Sequence, residues 1–285
     1  MSELDLAAMR RLIDVALDED GARDDITTKA LVPGDQEGRG AFLAKAPGVV
    51  CGLPIAAAAF AALDTSVRFE VLVGEGALVA PGDELARARG LLAPILNAER
   101  VALNFVQRLS GIATATRALV DAVSGLPVAI LDTRKTIPGL RSLERYAVLC
   151  GGGENHRYNL SDAVLIKDNH LAAARARGLS IAQVLDSVRR GSPPGLKMEI
   201  EVTSTQEAQE ALDAGATSLL LDNMSLEEMR CVVAVARGRA TLEASGNVTA
   251  ETIRAIAETG VDCISVGWIT HSAPALDVSL EIDLP

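Results

Sequence analysis

The sequence predicts an α/β protein: a turn-rich front part with short strands, then a parallel sheet of βα units arranged as a barrel. Three observations predict it. After residue 125, apolar runs of strand length alternate with helical patterns, at Val128–Leu131, Ala163–Ile166, Met198–Val202, Ser218–Leu221, Thr241–Ala244 and Cys263–Val266. Polar residues stand at or just past the ends of these runs, and Glu201, Asp222, Ser245 and Gly267 follow one another at intervals of 21 to 23 residues, the rhythm of successive βα units. Before residue 125, turns punctuate short segments instead. Parallel strands need crossover connections, which the intervening helices supply. An open doubly wound sheet would also present polar groups at its carboxyl edge, but no Gly-rich dinucleotide loop is present, which favours the barrel.

In chain order, Ser2–Leu17 reads as an amphipathic helix, with Leu4, Ala8, Leu12, Val15 and Ala16 at helical spacing. Ala41–Gly52 and Val67–Val73 read as strands on either side of an alanine-rich helix, Ile55–Leu63. Gly74–Leu85 is turn-rich and faintly resembles a biotinyl or lipoyl carrier domain, but it lacks a Met-Lys-Met-like site and is expected to be structural. Ala93–Gly125 reads as one or two long helices carrying Asn97, Glu99, Arg100 and Asn104, with a break expected at Gly111.

Composition narrows the function. The 285 residues are 49% hydrophobic and 23% charged, which fits a globular chain. Asp and Glu number 38 against 27 Lys and Arg, a net charge of −11, which opposes non-specific binding to nucleic acid or an anionic membrane. Aromatics at 2% leave no stacking platform for single strands. The longest apolar stretch, Leu53–Leu63, is too short for a span of ~20 residues. Met1–Arg11 is mixed polar and carries acids, so it does not read as a signal peptide. Cys51, Cys150, Cys231 and Cys263 form no CxxC pattern, so reduced thiols in a cytoplasmic protein are expected.

Positive charge is concentrated locally. Between Arg134 and Arg157, Arg134, Lys135, Arg141, Arg145 and Arg157 face only Glu144 and Glu154. Gly151–Gly153 permit close backbone approach, His156 and Arg157 add donors, and Lys167 ends another strand. A solvated basic loop is the plain alternative, yet several of these residues converge on strand ends, where barrels keep their active sites. Glu201 and Asp222 end neighbouring strands and suit Mg²⁺ or sugar hydroxyls. Ser245, Gly246, Asn247 and Gly267 follow the last strands and suit a phosphate on backbone N–H groups. An anion pocket, a metal-and-ribose pocket and a phosphate cradle result.

The stretch LDTRKTIPGLRSLERYAVLCGGGENHRYNLSDAVLIKDNH, continued by EIEV, LLLDN, EASGN and SVGWITHS, resembles quinolinate phosphoribosyltransferases. Upstream, DEDGARDDITT and NAERVALNFVQRLSGIAT match too. The resemblance implies a type II phosphoribosyltransferase fold: an N-terminal α/β sandwich over residues 1–110, joined by 273–285, and an incomplete, seven-stranded α/β barrel over 111–272. It implies transfer of phosphoribose from phosphoribosyl pyrophosphate to quinolinate, with release of pyrophosphate and CO2, as a step of NAD synthesis requiring Mg²⁺. It further implies a homodimer or an assembly of dimers. Arg134, His156, Arg157 and Lys167 would line the quinolinate pocket, with Lys135 beside them and Thr133 donating a hydrogen bond. Arg100 would reach into the partner's site. Glu201 and Asp222 would hold ribose hydroxyls and the metal, and Ser245, Gly246, Asn247 and Gly267 the 5′-phosphate. Two positions depart from the family pattern: Arg23-Asp24, and Trp268 directly after the phosphate glycine. Alternatives are a same-fold paralogue of molybdenum-locus type, a nicotinate-specific enzyme, or a Schiff-base lyase using Lys167.

Overall fold

The computed structural model describes residues 6–284, with side chains from Met9 onward. In chain order these residues form α1 (Leu6–Glu19), α2 (Ile26–Leu31), β1 (Glu37–Ala44), β2 (Gly48–Val49), α3 (Leu53–Leu63), β3 (Arg68–Val71), β4 (Leu78–Val79), β5 (Glu84–Leu91) and α4 (Leu92–Ala122). Next come β6 (Ala129–Leu131), α5 (Arg141–Cys150), β7 (Val164–Ile166), α6 (Asp168–Arg175), α7 (Ile181–Gly191), β8 (Met198–Val202) and α8 (Thr205–Asp213). The chain ends with β9 (Ser218–Asp222), α9 (Leu226–Ala236), β10 (Thr241–Ser245), α10 (Ile253–Ala257), β11 (Cys263–Ser265), α11 (Trp268–His271) and β12 (Val278–Asp283). Two compact units result. The first gathers the described residues up to Arg117, then Thr136–Gly152, then those from Trp268 onward; the second gathers Ala118–Lys135 and Gly153–Gly267.

The first unit is built on an antiparallel sheet in the order β12-β1-β5-β3. Along β1 burial alternates with period two, and Phe42 faces inward. Its ring meets Phe60 of α3 at 6.0 Å and Phe69 of β3 at 5.6 Å, both edge-on. Aromatic pairs in this geometry add about 0.5–1.5 kcal/mol beyond their buried area. The strand expected over 41–52 is split in two, because Pro47 has no N–H to give a ladder. On α1 the buried face is Met9, Ile13 and Leu17, spaced by four; Val15 lies off that stripe and is exposed, contrary to expectation. Leu4 lies outside the described residues and the side chain of Ala8 with it. Arg23, one of the two departures from the family pattern, clamps α1 through Asp14 at 3.1 Å and Asp18 at 2.7 Å.

Gly111 does not break its helix. α4 runs unbroken for 31 residues. A Cβ at position 111 would stand 2.0 Å from the carbonyl oxygen of Pro274, so the glycine serves close backbone approach rather than a turn. Nearby, Arg108 donates to the fully buried Glu144 at 2.7 Å, to the carbonyl of Ala273 at 3.1 Å and to that of Thr270. Glu144 also accepts from the Ile137 N–H at 3.2 Å. Removing one member of such a buried pair costs about 3–5 kcal/mol.

The second unit holds six parallel strands in the order β6-β11-β10-β9-β8-β7. All six sequence-predicted runs begin and end within one residue of these strands, since Leu, Ile and Val fill them. The seventh strand of the expected barrel is reduced to one parallel bridge, Leu131 with Glu154, at the outer edge of β6. Ser180, Ser204 and Ser225 cap α7, α8 and α9 and stop each incoming loop. The sheet is rolled. Flat, it would put the Glu154 segment about 24 Å from β8, five spacings of ~4.8 Å. Yet Nε2 of His156 lies 3.2 Å from Glu199 on β8. Among the described residues, no helix is long and apolar enough to cross a membrane.

Candidate active site

Six strand ends of the second unit surround a cavity of about 450 Å³. Thr133, Arg134 and Lys135 enter it after β6, and His156 and Arg157 from the bridge segment. Leu165 and Lys167 come from β7, Glu201 from β8, Leu220 and Asp222 from β9, Glu243 and Ser245 from β10, and Ser265 from β11. Register sorts them into tiers. Asp222, Ser245 and Ser265 lie side by side. One pleat deeper, Glu201, Leu220, Glu243 and Cys263 do the same. Deeper again, Ser218 donates to Glu199 Oε1 at 2.8 Å.

The rim is cationic. Burial and then the neighbouring charge of Arg134 pull the Arg157 pKa down, so the two guanidinium groups crowd one another. Arg157 Nη1 is anchored on the Ala163 carbonyl at 2.9 Å, and Thr133 Oγ1 accepts from the Lys135 N–H at 3.0 Å. Lys135 and Lys167 are exposed. Across the mouth, Glu201 and Asp222 share one face. Burial first, then the charge of Asp222, push the Glu201 pKa up.

The floor is acidic and enclosed. The fully buried Asp132 accepts the His156 backbone N–H at 2.7 Å. Nε2 of His156 stands 3.2 Å from Glu199 and 3.3 Å from Glu243. Burial pulls the His156 pKa down, but the two adjoining carboxylates outweigh it and push the value up to about 9. The Arg157 N–H, 2.8 Å from Nδ1, needs a lone pair there, so charging the ring costs that hydrogen bond. Burial raises the Glu199 pKa, but His156 and Ser218 more than reverse this and hold it low.

Of the residues singled out from sequence, Thr133, Arg134, Lys135, His156, Arg157, Lys167, Glu201, Asp222 and Ser245 line this one cavity. Gly246, Asn247 and Gly267 do not line it; they continue the strand ends just beyond Ser245 and Ser265. Gly246 has φ +98°, and a Cβ there would stand 2.2 Å from the Asn223 Oδ1. That oxygen accepts from Asn247 Nδ2 at 3.0 Å, while Asn223 Nδ2 donates to Asp222 at 3.0 Å. Arg100 belongs to the other unit, exposed on α4, and is not among the lining residues. Sequence reasoning did not single out Asn223, Glu199, Glu243, Ser265 or the two leucines. The available signal for the acids was period two: Glu199 and Glu201 alternate within one apolar strand and so share its inward face.

A strand-end cavity on a rolled parallel sheet, rimmed by cations beside an acid pair, defines an α/β-barrel enzyme for anionic substrates. The chain belongs to the quinolinate phosphoribosyltransferase family: residues 25–110 match the model "Quinolinate phosphoribosyl transferase, N-terminal domain", and residues 112–281 that of its C-terminal domain. A "Probable nicotinate-nucleotide pyrophosphorylase [carboxylating]" of Synechocystis is 44% identical over 93% of this chain and 90% of its own length. "Quinolinate phosphoribosyltransferase [decarboxylating] 2b, mitochondrial" of Nicotiana tabacum is 41% identical over 96% of this chain and 82% of its own. Among solved structures, NadC from Streptococcus pyogenes superposes with a TM-score of 0.95 at 37% identity, covering all of both chains.

Proposed function

We infer that the cavity transfers phosphoribose from phosphoribosyl pyrophosphate to quinolinate, with decarboxylation, giving nicotinate mononucleotide, pyrophosphate and CO2 for NAD synthesis. The observation that carries this reading is the crowding of Arg134 against Arg157 beside Lys135 and Lys167, more positive charge than one carboxylate needs. Quinolinate offers two adjacent carboxylates. Guanidinium groups hold carboxylates bidentately and fix the ring's orientation. Leu165 and Leu220 supply apolar wall for the pyridine face. The ring nitrogen forms a bond to the anomeric carbon as the bond to pyrophosphate breaks, and pyrophosphate leaves with the electron pair. The nitrogen is then quaternary. The neighbouring carboxylate departs as CO2, its bonding electrons stay on the ring carbon, and a proton takes its place.

Glu201 and Asp222 suit ribose hydroxyls and Mg²⁺, since burial and then the charge of Asp222 raise the Glu201 pKa and a divalent cation would relieve that cost. Bound there, Mg²⁺ would supply charge neutralisation for the pyrophosphate. Ser245, Gly246, Asn247 and Gly267 receive the 5′-phosphate, and Asn223 ties the loop after β9 to Asn247 after β10. Arg100, exposed on α4, acts in a homodimer or an assembly of dimers by entering the partner's cavity. The cytoplasm is the compartment proposed, because the four cysteines are free thiols. The direct test is release of labelled CO2 from carboxyl-labelled quinolinate. Release that requires phosphoribosyl pyrophosphate is expected, and equal turnover of nicotinate without CO2 would refute the reading.

A further inference from the structure

Two carboxylates, Glu199 and Glu243, face a single imidazole on the cavity floor. Glu199 also feels the positive charges of Lys197 and Arg157, whereas His156 is the cation beside Glu243. Glu199 has Ser218 as a second partner at 2.8 Å. Glu243 is fully buried, and neither of its oxygens meets a donor in hydrogen-bond geometry; the His156 Nε2 stands 3.3 Å from its Oε2. A buried carboxylate in this state is costly unless positive charge compensates it. Its field is felt nearby: burial, then the charges of Glu243 and Glu199, push the Cys263 thiol up.

The same Glu243 lines the cavity. A buried carboxylate under the cationic rim works against holding a dianion, so it is misplaced for substrate binding. It is well placed for a cation. Ribosyl transfer makes one: as the bond to pyrophosphate breaks, positive charge develops on the anomeric carbon, and the new bond carries that charge to the pyridine nitrogen.

We propose that Glu243 stabilises the positive charge developed in the cavity during ribosyl transfer, and that it weakens rather than strengthens the hold on the anionic substrate. This rests on the quinolinate reading above. An interaction stronger in the transition state than in the ground state raises kcat. A unit charge some ~6 Å away, at an effective dielectric of about 20, is worth roughly 10- to 100-fold in rate.

Two variants separate charge from shape. Glu243→Gln keeps the shape and an acceptor for His156 but removes the charge. Glu243→Asp keeps the charge and shortens the side chain. Steady-state rates with both substrates, and calorimetric binding of quinolinate alone, are measured on wild type and both variants. For Glu243→Gln, kcat is expected to fall about 10- to 100-fold while quinolinate binds as well as or more tightly than in wild type; Glu243→Asp retains more kcat than Glu243→Gln. A purely packing role gives the reverse order of the variants and overturns the proposal. So does a Glu243→Gln kcat within about threefold of wild type, or a loss of quinolinate affinity in step with the rate. Wild type that releases no CO2 overturns the quinolinate reading itself, a result separable from any difference among variants.

Discussion

At the rim of the cavity, Lys135 and Lys167 are exposed and Arg134 and Arg157 half-buried, whereas at its floor Glu199 and Glu243 are enclosed by strands around His156. The rim has an excess of positive charge, the floor an excess of negative. The exposed rim lysines are largely solvated, so they cost the fold little. Floor charges have no water to fall back on and must be compensated by neighbours or by the reaction. Substitutions of the exposed rim lysines should therefore act on activity and leave stability alone, and floor substitutions should act on both. The variants below are chosen to break that division.

The largest effect is expected for the cations proposed to meet the substrate, Lys167 at the rim and Arg100 from a partner. Lys167→Ala and Arg100→Ala should each be nearly inactive as homodimers, because truncating one partner of a desolvated charge pair costs about 2–5 kcal/mol, or roughly 30- to several-thousand-fold. Neither should shift the melting temperature much, since both side chains are exposed. If Arg100 serves the partner's cavity, mixing the two variants produces dimers with one doubly defective and one intact site. Random pairing of equal amounts makes about half the dimers mixed and restores up to about a quarter of wild-type activity. A mixture as inactive as its parents, after verified subunit exchange, removes Arg100 from the partner's site.

A smaller effect is expected between rim and floor, at the acid pair. Glu201→Gln and Asp222→Asn should weaken the use of phosphoribosyl pyrophosphate by about 10- to 150-fold, the value of a lost charged hydrogen bond. Calorimetric binding of quinolinate should stay nearly unchanged. A matching loss of quinolinate affinity would mean that cations and acids form one pocket, and the division between them would fail.

The contrast between rim and floor also explains what could be read from sequence. Arg134, Lys135, Arg157 and Lys167 stand out because cations cluster against the grain of an acidic chain, and the strand runs stand out because Leu, Ile and Val fill them. Glu199 and Glu243 do not, since an acid within an apolar strand reads as ordinary until pairing register shows which face it takes. Gly111 was misjudged for a related reason: local propensity reports the turn a glycine permits, not the distant Pro274 carbonyl that requires it. Pro47 was overlooked because the apolar pattern runs straight through it. Asn223, with φ +53°, is visible only once the loops after β9 and β10 lie together. Residues whose roles depend on a neighbour remote in sequence are the ones that pattern alone misses.

The smallest effect concerns stability and falls on the floor alone. The His156 pKa lies at about 9, above its ordinary 6.5, because the Glu199 and Glu243 carboxylates outweigh burial. A raised pKa means that the folded state binds the proton more tightly than the unfolded chain. The stabilisation is therefore complete below pH ~6.5 and is lost as the pH rises through about 9. The Arg157 amide, which needs a lone pair on Nδ1, works against the charged ring and trims the gain. About 1–3 kcal/mol is expected across that window, or several degrees in Tm for a chain of this size. His156→Gln removes the titrating group and should flatten the fall in Tm between these two pH values. Lys167→Ala, at the rim, should leave the fall unchanged. If wild type and His156→Gln lose Tm in parallel, the imidazole is neutral throughout, the Arg157 hydrogen bond outweighs the acid pair, and the excess negative charge on the floor is larger by one unit than a charged His156 would leave.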